Sequence, residues 1–137
     1  AACYYGCALV RHPKITRLDD PENPQYLDRL VAALGAQPVE WSYKADCCGA
    51  DLAMTYGKVV NNLVGKIVSM AKEAGAQCIV TSCGLCQMNL EMRQDQGLPI
   101  FYFTELMGVA FDVEKKENWW KKHLISPQPL LEAMGLT

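Results

Sequence analysis

The residues best suited to chemistry are the seven cysteines: Cys3, Cys7, Cys47, Cys48, Cys78, Cys83 and Cys86. Two histidines, His12 and His123, accompany them. The count is odd, one pair is adjacent and Cys83 and Cys86 form a C-x-x-C. That pattern points to metal or redox chemistry more than to a disulfide framework. Between Cys7 and Cys47 lie 39 residues, and between Cys48 and Cys83 lie 34, so the thiols form three distant groups. Local zinc knuckles and small ferredoxins hold their ligands closer in sequence. Only a fold that returns repeatedly to one edge could gather these.

Such a fold is legible in the apolar pattern. Ala1 to Tyr5, Pro38 to Tyr43, Cys78 to Thr81 and Ile100 to Phe103 read as short strands. Helical spacing links Leu27, Leu30, Val31 and Leu34, with Asn23 as the expected N-cap, Pro24 at the first helical position and Gly35 as the stop. From Asp51, positions Leu52 to Ala71 trace one helical face closed by Gly75. Further helices are expected over Leu85 to Asp95 and from a Thr104 cap through Phe111. The alternation predicts an α/β fold: a roughly four-stranded parallel sheet with helices on both faces. Residues 1–112 read as the cluster-binding domain. Residues 113–137, with Trp119-Trp120 and a Pro-flanked Leu-rich end, read as an appendage that docks on the domain or on a partner protein.

The chain has 137 residues, 50% of them apolar, and a net charge of -2. A chain this long buries about two-thirds of its unfolded surface, enough for one ordinary core without disulfide staples. The acidic balance argues against a nucleic-acid surface, since counterion release needs clustered Lys and Arg. No apolar run approaches a membrane span and no signal peptide is evident, so a cytoplasmic location is expected. The opening residues read as the middle of a domain, and the chain is expected to be a fragment of a longer protein.

In this topology Cys7 follows the first strand, Cys47 and Cys48 the second, and Cys83 and Cys86 the third. Parallel strands place these groups on one carboxyl edge, where α/β sheets bind ligands. Neighbouring strands lie about 4.8 Å apart, so three strand ends span one cluster's width. Helices starting near Asp51 and Leu85 aim their N-termini there, which favours thiolates. Five thiolates exceed the need of a tetrahedral zinc. A polynuclear iron-sulfur cluster uses them better, with zinc as the alternative. Cys3 and Cys78 sit within strands and read as core thiols. His12 reads as a surface residue and His123 as structural, Asp46 and Asp51 as turn and helix-start residues. Trp119 and Trp120 suit either a contact between subunits or the domain's own core.

The pattern Cys7-x39-Cys47-Cys48-Gly49-x34-Cys83-x2-Cys86 resembles the CCG cysteine-rich domain. Ala2 to Cys7, Asp19 to Pro24 and His123 to Leu131 are similar to the C-terminal copy in the B chain of heterodisulfide reductase. The resemblance implies an oxidoreductase acting on disulfides, with a noncubane four-iron four-sulfur (4Fe-4S) cluster held by Cys7, Cys47, Cys48, Cys83 and Cys86. It implies two-electron reduction of a mixed disulfide, in methanogenesis that of coenzyme M and coenzyme B, between two clusters in tandem domains. The partners it implies are the preceding CCG domain of the same polypeptide, and the iron-sulfur C and flavin A subunits of the complex. A CCG domain relaying electrons in a hydroxyacid or succinate oxidoreductase is the other reading within iron-sulfur proteins, and a zinc-binding structural domain lies outside them. Gly84 stands where many relatives have proline, and only one CCG motif is present, half of a two-cluster site.

Overall fold

The computed structural model describes residues 1–136. Three short strands, β1 (Ala2–Tyr4), β2 (Ile79–Thr81) and β3 (Ile100–Tyr102), form a parallel sheet in the order β1-β2-β3. Ala2 lies opposite Ile79, and Ile79 opposite Ile100. Eight of the nine strand residues are buried, the half-buried Tyr102 excepted. Near-continuous apolar runs are what a sheet covered on both faces requires.

The helices are α1 (Pro13–Thr16), α2 (Tyr26–Ala33), α3 (Gly57–Glu73), α4 (Gly84–Arg93), α5 (Phe103–Ala110), α6 (Glu117–Trp120) and α7 (Gln128–Ala133), with a 3-10 turn at Ala50–Leu52. On one side, Val60, Val64, Ile67, Val68 and Ala71 of α3 bury a stripe against Leu90 of α4 and Ala2, Tyr4, Ile79 and Ile100 of the sheet. Each such aliphatic side chain contributes roughly 1.5–3 kcal/mol by leaving water. On the other side, Leu27 and Val31 of α2 and Val109 of α5 pack with Cys3, Val80 and Phe101. Helices therefore cover both faces, as the alternation of elements predicts.

The C-terminal segment docks on the second side. Trp120 meets Phe101 edge-on, with ring centroids 5.9 Å apart. Leu131 is buried in the same cluster. Gly108 makes this possible, because a Cβ there would sit 2.5 Å from Cζ3 of Trp119.

The sheet has three strands, not the four expected: Pro38 to Tyr43 runs beside β1 without joining it. The Val39 N–H donates to Ala1 O at 2.9 Å. A regular parallel ladder would then place the Trp41 N–H on Cys3 O and bring the Tyr5 N–H to Trp41 O. Instead the Trp41 indole N–H takes Cys3 O at 3.0 Å, and the Tyr5 N–H reaches Lys44 O at 2.8 Å. A side chain has replaced the main chain in the ladder, and the segment bulges past β1.

Three helix starts also shift. Asn23 does not cap α2; Oδ2 of Asp19 accepts the N–H groups of Gln25 and Tyr26, each at 2.7 Å, so the helix begins at Tyr26. Ahead of α5, Oε2 of Glu105 reaches back to the Tyr102 N–H at 2.8 Å, and Thr104 lies inside the helix. The long helix expected from Asp51 is broken, the 3-10 turn preceding α3.

Candidate metal centre

The three thiol groups meet. Cys7, three residues past β1, has its Sγ 3.7 Å from Sγ of Cys47. Sγ of Cys48 lies 3.7 Å from Sγ of Cys86 on α4. Adjacent residues in the doublet thus send their sulfurs to different partners. Cys83 is the N-cap of α4, and its Sγ accepts the Cys86 N–H at 3.4 Å. The pairs differ in access: Cys47 is exposed and Cys7 half-buried, whereas Cys48 and Cys86 are buried. Among the described residues no three Cys, His, Asp or Glu side chains gather around the position of a single metal ion.

Side chains from two directions hold the doublet. The hydroxyl of Tyr4, fully buried in β1, donates to Asp46 O at 2.5 Å. Nδ2 of Asn89, one turn past Cys86 on α4, donates to Cys48 O at 2.9 Å. Gly49 closes the loop in a left-handed conformation (φ 78), where a Cβ would meet Cδ1 of Leu63 at 2.9 Å. Gly6 is similarly constrained, since a Cβ there would lie 3.0 Å from Cys86 Sγ. Gly84 is not: nothing lies within 4 Å of a Cβ at that position. The CCG glycine is therefore favoured by its left-handed backbone and by close packing against α3, while Gly84 leaves room for another residue.

The donors around these sulfurs shift their protonation. Cys48 is lowered to about 6, first by its hydrogen bond with Cys86, then by Asn89, the Ala50 N–H and the Tyr4 hydroxyl, which together outweigh burial. Cys86 moves up, because it keeps the proton of that pair and is itself buried. Cys7 is raised by burial and by the neighbouring Cys47. Tyr4 is pushed up by burial and by the sulfurs of Cys48, Cys86, Cys47 and Cys7, so it remains a protonated donor.

Cys3 and Cys78 are buried on the other side of the sheet, among Val80 and Phe101. Burial, reinforced by Asp28, pushes the Cys3 thiol up to about 12. His12 is exposed in a left-handed turn (φ 56), and the side chains of Asp46 and Asp51 face solvent.

Two polar constellations form around pairings that the sequence reading does not foresee, although it names His123 as structural. Nζ of Lys44 and Oδ1 of Asp28 form a buried ion pair at 2.9 Å, and the Tyr5 hydroxyl donates to Oδ2 of the same carboxylate at 2.5 Å. This anchors the approach to the doublet on α2. Second, His123 lies between Oε1 of Glu91 (2.5 Å) and Oε1 of Glu105 (3.0 Å), and the Leu124 N–H donates to Oε2 of Glu91 at 3.0 Å. Burial opposes charge on the imidazole, but hydrogen bonds to Glu105 and Glu91 raise it to about 9. An open cleft of about 680 Å³ between α4 and the C-terminal segment is lined by these three side chains. The nearness of Lys44 to the doublet and the reading of His123 as structural are the only sequence signals for these groups.

Comparison with known proteins gives the family of the chain. The chain is 30% identical over 125 residues to the membrane anchor of the 8-methylmenaquinol:fumarate reductase of Wolinella succinogenes, covering 85% of this chain and 44% of that protein. It is 32% identical over 121 residues to the B chain of the ferredoxin:CoB-CoM heterodisulfide reductase of Methanosarcina mazei, covering 80% and 40%. It is 29% identical over 127 residues to the B chain of the ferredoxin/F(420)H(2)-dependent CoB-CoM heterodisulfide reductase of Methanosarcina acetivorans, covering 85% and 42%. The chain thus spans about two-fifths of the length of these relatives. No helix among the described residues is long and apolar enough to cross a membrane. The pattern of the cysteine-rich domain (CCG) matches residues 1–91, and the chain belongs to that family.

Proposed function

We propose that this chain is an iron-sulfur redox module whose five motif cysteines, Cys7, Cys47, Cys48, Cys83 and Cys86, hold a noncubane 4Fe-4S cluster at the carboxyl edge of the strands. The observation that carries the reading is the convergence of thiols from three distant segments into two sulfur pairs, each 3.7 Å apart. The donor set suits such a group. Several irons each need a terminal sulfur, and two separate pairs serve them better than they serve one tetrahedral zinc. When bound, the cluster supplies electron-transfer chemistry at thiolate-ligated iron.

The chain's own residues prepare the ligands. Tyr4 and Asn89 fix the carbonyls of Asp46 and Cys48 around the doublet, so its sulfurs stay divergent. The N–H groups of Gly49 and Cys86 point at the sulfurs of Cys47 and Cys83 and orient them. The named relatives in heterodisulfide reductases support reduction of a small-molecule disulfide as the activity of the complete protein. In this reading a second CCG domain, together with iron-sulfur C and flavin A subunits, completes the cytoplasmic assembly. Residues 1–112 form the module and 113–137 its docked appendage, of which Thr137 lies outside the described residues. The fumarate reductase relative favours a second reading, electron relay without disulfide chemistry.

Anaerobic reconstitution with iron and sulfide, followed by metal and sulfide analysis and EPR of the oxidised protein, tests the assignment. Several irons with matching sulfide are expected. Zinc near one per chain, with no sulfide taken up, would overturn it.

A further inference from the structure

We propose that Cys47 and Cys7 form a dithiol that, while no cluster is bound, reduces small-molecule disulfides by exchange and closes as a Cys7–Cys47 disulfide. The two sulfurs already lie 3.7 Å apart. A disulfide bond of about 2.05 Å requires them to approach by roughly 1.6 Å, within reach of side-chain rotation. The backbones are held together just upstream, where the N–H groups of Tyr5 and Gly6 both donate to Lys44 O, at 2.8 and 3.3 Å. The loop after Cys7 is fixed too, since Cys7 O accepts the Arg11 N–H at 2.8 Å.

Access assigns the roles. Cys47 is exposed, and its Sγ accepts the Gly49 N–H at 3.3 Å, which holds the sulfur at the surface of the loop. Cys7 is half-buried behind it. The Cys48–Cys86 pair has the same separation, yet both residues are buried. The Cys47 thiolate attacks one sulfur of the external disulfide, forming a mixed disulfide and releasing the other half as a thiolate. The Cys7 thiol loses its proton and attacks the Cys47 sulfur, expelling the second half. Two protein thiols are oxidised, one external disulfide is reduced to two thiols, and the two protons pass to the released thiolates. This exchange requires no metal. Its consequence, that closing the bond withdraws two of five ligands and blocks loading, rests on the proposed function.

The test treats the cluster-free chain anaerobically with glutathione disulfide and maps disulfides by peptide mass spectrometry. One Cys7–Cys47 linkage is expected in the unmodified sequence, a result that needs no variant. Cys7→Ser should accumulate a glutathione adduct on Cys47, and Cys47→Ser should react about tenfold more slowly or less. Linkage of Cys47 to Cys83 or Cys86, or equal rates in Cys47→Ser and the unaltered chain, would overturn the proposal. In the loading arm, the oxidised chain should take up no iron until a dithiol reductant is added. Equal loading of oxidised and reduced chain would sink the blocking role. A reduced chain that maps as expected but never loads removes the cluster assignment and leaves the exchange intact.

Discussion

Four cysteines are buried in this core, two on each side of the sheet, and depth alone does not separate them. Cys48 and Cys86 pack with Val60 and Leu90, and Cys3 and Cys78 with Val80 and Phe101. Around Cys48 stand Asn89, the Ala50 N–H, the Tyr4 hydroxyl and the Cys86 thiol, and its pKa falls to about 6. Around Cys3 stand apolar side chains and the Asp28 carboxylate, and its thiol rises to about 12. At Cys48 and Cys3, neighbouring donors rather than depth set the direction of the shift. The second side instead pairs its buried charge, Lys44 with Asp28, while His123 bridges Glu91 of α4 and Glu105 of α5.

The sharpest way to break this contrast is to remove one sulfur from each side. Cys86→Ala should abolish the EPR signal of the reconstituted protein. Cys78→Ala should retain it and cost about 1 kcal/mol of packing in urea unfolding. Equal loss of signal in both would place the core thiol in the site.

The ion pair comes next. Lys44→Met leaves the Asp28 carboxylate buried without its cation and should cost about 3–5 kcal/mol in urea unfolding. A companion Lys44→Met, Asp28→Leu double variant should recover much of that loss, since no charge is then stranded. A single variant as stable as the unaltered chain would show that the second side does not depend on pairing its charges.

The smallest effect is pH-dependent. His123 is raised in the folded chain to about 9 from an ordinary 6.5, so its charged pairing stabilises the fold fully below about 6.5. That contribution fades as pH climbs through about 9. His123→Gln should therefore lose on the order of 1–2 kcal/mol at pH 6, and the gap to the unaltered chain should close between about 6.5 and 9. A gap that widens over that range would mean the imidazole is neutral in its pocket.

The sequence reading located what is local or periodic. The inward stripe of α3 and the three paired strands follow from spacing and from position relative to apolar runs. It went astray where a side chain did the work of backbone. Val39, Trp41 and Tyr43 alternate as a strand should, yet the Trp41 indole occupies the carbonyl that a fourth strand needs. Asp19 caps a helix that starts seven residues later, a reach no local motif encodes. The polar pairs were invisible for a related reason: Asp28 and Lys44 are 16 residues apart, and Glu91 and His123 are 32 apart. Nothing in the sequence around any of these residues marks its partner.

The displaced ladder beside β1 also matters to neighbours in solution. An outer strand with open carbonyl and amide groups is a template on which a second chain can lengthen the sheet. Here Ala1 O, Cys3 O and the Tyr5 N–H are already engaged by Val39, Trp41 and Lys44. The same irregular segment that costs the sheet a strand thus covers that border, with two backbone bonds and one indole N–H.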